Sequence, residues 1–225
     1  SNFYIDVYFN EGVYGDGNAQ TGLSDNGLNI GIIAPFNGTA TAISIDSLKN
    51  YTGAELIGGE DTIRVFLNVT GTPNGLENIE IFATSNSTVF DQSGTFTPAT
   101  YSMSQAVGGR YLRDLTSPAL ELIDISGNTV AGMKYVAVNT PTLTITAEDA
   151  KSIEVDALSL TCTVNGNPVI INPIVITSEV ATVIEFVTEL VDTVFTFGDI
   201  IFTVTDIAGN STTLSPATFT VDTGD

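Results

Sequence analysis

Along most of this chain apolar and polar residues alternate with a period of two. "LSLTCTV" (Leu158 to Val164) shows the pattern, and "TATAISI" (Thr39 to Ile45), "TIRVFLNV" (Thr62 to Val69), "NIEIFAT" (Asn78 to Thr84), "TLTITAED" (Thr142 to Asp149) and "IIFTVTD" (Ile200 to Asp206) repeat it. Such alternation, rich in Val, Ile, Thr, Phe and Tyr, predicts strands with one face buried. Between the runs lie "GDGN", "GTPNG", "VNGNP" and "IAGN", which carry the residues that turns require. Strands at about ten-residue spacing with this punctuation predict a β-sandwich. Helix signals are weak. "VIEFVTEL" (Val183 to Leu190) spaces its carboxylates helically, but its β-branched surroundings favour strand.

A break falls at "AVGGRYLRDLTSP" (Ala106 to Pro118), where paired glycines, a charge cluster and a proline precede a fresh strand, "ALELID". Dividing there gives residues 1–112 and 113–225, each the size of an immunoglobulin-like domain. The expected fold class is therefore all-β, two tandem immunoglobulin-like β-sandwiches.

Composition changes the picture by exclusion. The 225 residues include 26 acidic and 6 basic side chains, a net charge of -20. No cationic stripe exists to displace counterions from phosphates, so nucleic acid is excluded as a partner and anionic membrane surfaces are disfavoured. Histidine is absent, which removes Ser-His-Asp and Cys-His catalysis and the common zinc and haem ligand sets. The single cysteine, Cys162, alternates with Leu160 and Val164 and reads as a buried strand residue. The longest apolar region, Val180 to Val204, carries Glu185, Glu189, Asp192 and Asp199, so no membrane insertion is expected.

Candidate chemistry centres on carboxylates. "DIAGN" (Asp206 to Asn210), "DQSGT" (Asp91 to Thr95) and "DISGN" (Asp124 to Asn128) share an Asp-x-x-Gly pattern. Asp at the first position caps backbone N–H groups and Gly supplies positive φ, so each is either a plain hairpin turn or a turn that also holds an ion. "DISGN" follows the first strand of its half whereas the other two precede a last strand, so its letters reflect turn chemistry and not a repeat position. Sandwich loops cluster at two ends. By that topology Glu11, Asp114, Glu148, Asp149, Asp206 and Asn210 are expected to converge where one domain meets the next. Their oxygens suit Ca2+, which takes six to eight ligands at about 2.3–2.6 Å.

Catalysis is not expected. The best carboxylate pair, Glu77 and Glu80, lies three apart in a strand-like run and points to opposite faces. Tyr14, Tyr51, Tyr101 and Tyr111 lie near turns and can stack on sugars, and core or rim tyrosine is the plain alternative.

"FTVTDIAGNSTTLSPATFTVDT" (Phe202 to Thr223) resembles the final hairpin of bacterial Ig-like repeats, which read D-x-A-G-N, then a short strand, then V-D-T. "VYFNEGVYG", "GTPNGLENIEIFA" and "VFDQSG" in the first half resemble the repeats of long bacterial surface proteins of the swimming-associated type; Thr95 stands where the turn pattern expects asparagine. The resemblance implies a non-enzymatic, extracellular stalk or adhesin segment at the cell surface. Its partners would be neighbouring Ig-like domains of the same or another chain, or a surface glycan or protein. Calcium would stiffen its domain junctions. A filament or surface-layer subunit joined by strand complementation, and a carbohydrate-binding sandwich, are the alternatives.

Overall fold

The computed structural model describes residues 4–33, 37–96, 111–149 and 157–224. The chain divides into two compact units, Ser1–Leu115 and Thr116–Asp225. Among the described residues every regular element is a strand, and each unit is an Ig-like β-sandwich.

In unit 1, β1 (Tyr4–Val13), β2 (Leu28–Ile32), β3 (Ala42–Asn50), β4 (Glu60–Thr70) and β5 (Ile79–Ala83) form two sheets, ordered β1-β4-β3 and β2-β5. All pairings are antiparallel. The alternation sorts β4 cleanly: Ile63, Val65 and Leu67 are buried, whereas Thr62, Arg64 and Phe66 turn outward. Ile63 and Val65 join Leu48, Ile79, Ile81 and Leu28 in one core. A bulge between Ile45 and Ser47 shifts the β3 register against β4. "LNIGI", the β2 strand, is short and its Gly31 weakens the strand signal, so the expected strands did not include it.

One carboxylate organises the loops of unit 1. Glu77 is fully buried, at 0% exposure. Its Oε1 accepts the N–H groups of Thr39 (2.7 Å), Ala40 (2.8 Å) and Asn74 (3.3 Å), and its Oε2 accepts that of Gly75 (3.1 Å). The Glu77 carbonyl also accepts the Leu112 N–H at 3.0 Å, and the Pro73 carbonyl accepts that of Leu115 at 2.8 Å.

Unit 2 runs β6 (Ala119–Ile125), β7 (Asn128–Val130), β8 (Met133–Val136), β9 (Thr142–Glu148), β10 (Ala157–Val164), β11 (Asn167–Val169), β12 (Ile171–Asn172), β13 (Val175–Thr177), β14 (Thr182–Phe186), β15 (Thr193–Phe195), β16 (Ile200–Thr205), β17 (Ser211–Leu214) and β18 (Phe219–Val221). Its sheets are ordered β11-β10-β16-β17 with β13 also on β10, β12-β14-β9-β6, and β15-β18-β8-β7. The β18–β8 pair is parallel. Phe186 of β14 meets Phe202 of β16 edge-on at 6.0 Å, joining two sheets through the core. Asn165 and Gly166, both at positive φ, make the tight β10–β11 hairpin. The ambiguous "VIEFVTEL" is strand over β14, with Ile184 and Phe186 buried and Val183 and Glu185 outward. Cys162 is buried and unoxidised, and burial pushes its thiol pKa up to about 12.

Candidate metal centre

The pairing of β6 with β9 sets Ala119, the first residue of β6, against Glu148, the last of β9. The pairing of β10 with β16 sets Ser159 against Thr205, the last residue of β16. The residues that lead into β6, leave β9 and leave β16 are Asp114, Asp149 and Asp206. Asp149 and Asp206 both belong to unit 2 and bring one carboxylate oxygen each within 4.8 Å of the other, whereas Asp114 belongs to unit 1. All three are buried, at 3%, 7% and 6% exposure.

Asp206 is held by its own turn. Its N–H donates to the Asn210 carbonyl (3.0 Å), and its carbonyl accepts the Gly209 N–H (3.2 Å). Its Oδ1 accepts the Asn210 N–H (2.8 Å) and its Oδ2 the Asn210 side-chain amide (2.9 Å). Gly209 sits at φ +90°, the left-handed conformation that closes the turn. The N–H of Asp149 donates to Ser178 Oγ at 2.9 Å, which fixes the direction in which the chain leaves β9.

Of the other expected ligands, Glu148 is exposed. It follows buried Ala147, so alternation turns it outward, and the chain leaves the strand before Asp149 turns back in. Glu11 lies exposed on β1, in the stretch where the β1–β4 register shifts between Tyr8 and Val13, and neither glutamate belongs to the group. Asn210 works through Asp206, which it orients with two hydrogen bonds.

The sister turns differ. Asp91 shares the backbone ring, with its N–H on the Thr95 carbonyl and its carbonyl accepting the Gly94 N–H. It is only half-buried, and its Oδ1 accepts the N–H groups of Ser93 and Thr95 (2.8 Å each) and the Ser93 hydroxyl (2.7 Å). Those bonds, the Ser93 hydroxyl first, hold its carboxyl below the ordinary value. Asp124 caps no such ring: it lies within β6 and pairs with Lys134 at 3.1 Å, which lowers its pKa.

The spacing of the Asp149 and Asp206 oxygens suits a shared divalent cation. Two oxygens on a single calcium ion stand at most about 5 Å apart, twice the Ca–O distance. The donor set is all oxygen, which favours Ca2+ or Mg2+ over softer metals.

The tyrosines divide in the same way. Tyr14 is half-buried against Gly58 and Gly59, Tyr51 and Tyr111 are exposed near turns, and Tyr101 lies outside the described residues. Two exposed tyrosines of β1, Tyr4 and Tyr8, escaped the sequence reading because nothing in the chain tells which face of that strand is covered.

None of the curated proteins compared with the chain matches it. Domains of the bacterial Ig-like kind are typically extracellular and generally non-catalytic, and no described helix is long and apolar enough to cross a membrane. Residues 115–223 match the family model of the bacterial Ig-like domain, so unit 2 is similar to that family in sequence as well as in fold.

Proposed function

We propose that the chain is a non-enzymatic, structural or adhesive segment of a bacterial surface protein, and that unit 2 holds a calcium ion on Asp149 and Asp206. The observation that carries this reading is the meeting of two buried carboxylates of unit 2, Asp149 and Asp206, within 4.8 Å. They leave two different strands, β9 and β16. An ion shared by both ties the loops that leave those strands to each other. Carbonyls, Asn210 and water complete such a shell.

The test is a thermal melt of the whole chain in chelator, in millimolar Ca2+, and in NaCl of matched ionic strength. Binding at a hundredfold excess over Kd adds about 2.7 kcal/mol, or roughly 10 °C for a unit of this size. Matched NaCl reproduces only the general screening of a net charge of -20. The variant Asp149→Asn separates the two effects. It is expected to lose the calcium shift and to keep the response to NaCl. Melts that coincide in chelator and in Ca2+ overturn the reading.

A further inference from the structure

Unit 1 carries a surface of different character. The β1-β4-β3 sheet turns Tyr4, Asp6 and Tyr8 outward from β1, in register with Phe66, Arg64 and Thr62 of β4, and Arg64 faces Lys49 of β3. Arg64 is fixed on both sides. Its Nε and Nη2 donate to Asp6 Oδ1 and Oδ2 at 2.8 and 2.9 Å, and its guanidinium carbon lies 3.9 Å from the Tyr4 ring centroid. Tyr4 in turn packs on Phe66, ring centroids 5.8 Å apart. Lys49 pairs with Glu55.

Two properties follow. The first is charge. Two of the six basic residues of the chain stand side by side here, each matched by one carboxylate, so this face is balanced on a protein of net charge -20. Acidic polymers are repelled by the rest of the molecule and gain no unpaired cation here. The second is chemistry. Tyr8 is 75% exposed, an aromatic ring held open on a strand centre. The planar Asp6–Arg64 pair beside it retains both N–H donors and carboxylate lone pairs, and their positions are set before any ligand arrives. A ring that offers a C–H face to Tyr8 and neighbouring hydroxyls to the pair matches both. A hydroxyl both accepts from guanidinium and donates to carboxylate. Tyr4 and Tyr8 stand four strand steps apart, about 13 Å, so the surface suits an extended chain better than a single ring.

We propose that this face is a glycan platform for an uncharged polysaccharide chain, with Tyr8 as the stacking ring and the Asp6–Arg64 pair as the hydroxyl-recognition group. The site lies within unit 1 and uses none of the carboxylates assigned to calcium, so the two readings stand or fall separately.

The experiment is calorimetric titration of the whole chain, in chelator, with cellohexaose, chitohexaose, mannohexaose and maltohexaose, and with oligogalacturonate as the charged comparison. The same protein is sedimented with insoluble cellulose and chitin. Saturable binding of at least one neutral probe is expected, weakened about tenfold or more by Tyr8→Ala and retained by Tyr8→Phe. Arg64→Lys keeps the charge and loses the planar fork, so it weakens binding as well. Unchanged melting of Tyr8→Ala shows that the fold is intact. Absence of binding to every neutral probe overturns the proposal. So do full binding by Tyr8→Ala, tighter binding of oligogalacturonate, and a Tyr8-dependent dimer in glycan-free solution, which would make the face a contact between copies.

Discussion

The side-chain amide of Asn210 donates to Asp206 Oδ2 at 2.9 Å while its backbone N–H donates to Oδ1 at 2.8 Å. One residue thus fixes both oxygens of a carboxylate that also faces Asp149. Asn210→Ala keeps the backbone bond and loses the amide bond. The expected result is a calcium affinity about 10–100-fold weaker, with the chelator melt lowered by only about 1 kcal/mol. Calorimetric titration with Ca2+ checks the first part and a urea melt the second. An unchanged affinity would remove Asn210 from the site.

Glu77 makes a sharper stability prediction. Truncation to alanine leaves four N–H groups in a water-poor interior without their acceptor. Glu77→Ala is expected to cost about 3 kcal/mol or more. Glu77→Gln keeps the shape and one acceptor oxygen but sets an amide N–H2 against a backbone donor, so it falls between. Urea denaturation of the three proteins orders them. A Gln variant as weak as the Ala variant would show that shape contributes nothing.

Acid sensitivity has a defined sign. The Asp6 carboxyl is lowered from 3.8 chiefly by its hydrogen bonds to Arg64, which outweigh the opposing effect of burial, with a smaller contribution from the guanidinium charge. A carboxyl that is a stronger acid in the folded state stabilises the fold fully above its unfolded value. The contribution fades as pH falls through the lower, folded value. The wild-type melt in chelator is therefore expected to lose an increment below about pH 4 that Asp6→Asn lacks. Carbon-13 NMR of the Asp6 carboxyl should titrate below 3.8.

Cys162 is expected to be inert in the native protein. It is buried, and burial alone drives its thiol up to about 12, so almost no thiolate exists at neutral pH. An aromatic disulfide reagent should label it only at the rate of unfolding. Stoichiometric labelling within seconds under native conditions would contradict the buried position.

Legibility in the sequence followed a physical line. β10 was readable residue by residue, because Leu158, Leu160 and Cys162 are buried between exposed Ser159 and Thr161. The "DIAGN" turn was readable because Asp, Gly and Asn each have a local reason to be there. The meeting of Asp149 and Asp206 follows from topology, since sandwich loops cluster at two ends. What topology does not resolve is the parity of a strand's last residue. Glu148 and Asp149 looked equivalent, and one position decides which is exposed. Glu77 was invisible for another reason. "GTPNGLEN" reads as a solvated turn, and only the fold brings the Thr39–Ala40 backbone to it. The Tyr4–Arg64–Asp6 stack spans two strands 58 residues apart and leaves no local trace.

The bonds around Glu77 also define a route for load. Tension applied beyond Leu115 reaches unit 1 through the Leu115–Pro73 and Leu112–Glu77 backbone bonds. Behind them stands the Glu77 carboxylate, gripping Thr39 and Ala40 on one side and Asn74 and Gly75 on the other. A pull that would otherwise peel one terminal segment is divided among three stretches of backbone. Release of that carboxylate side chain from the interior would mark the moment the unit yields.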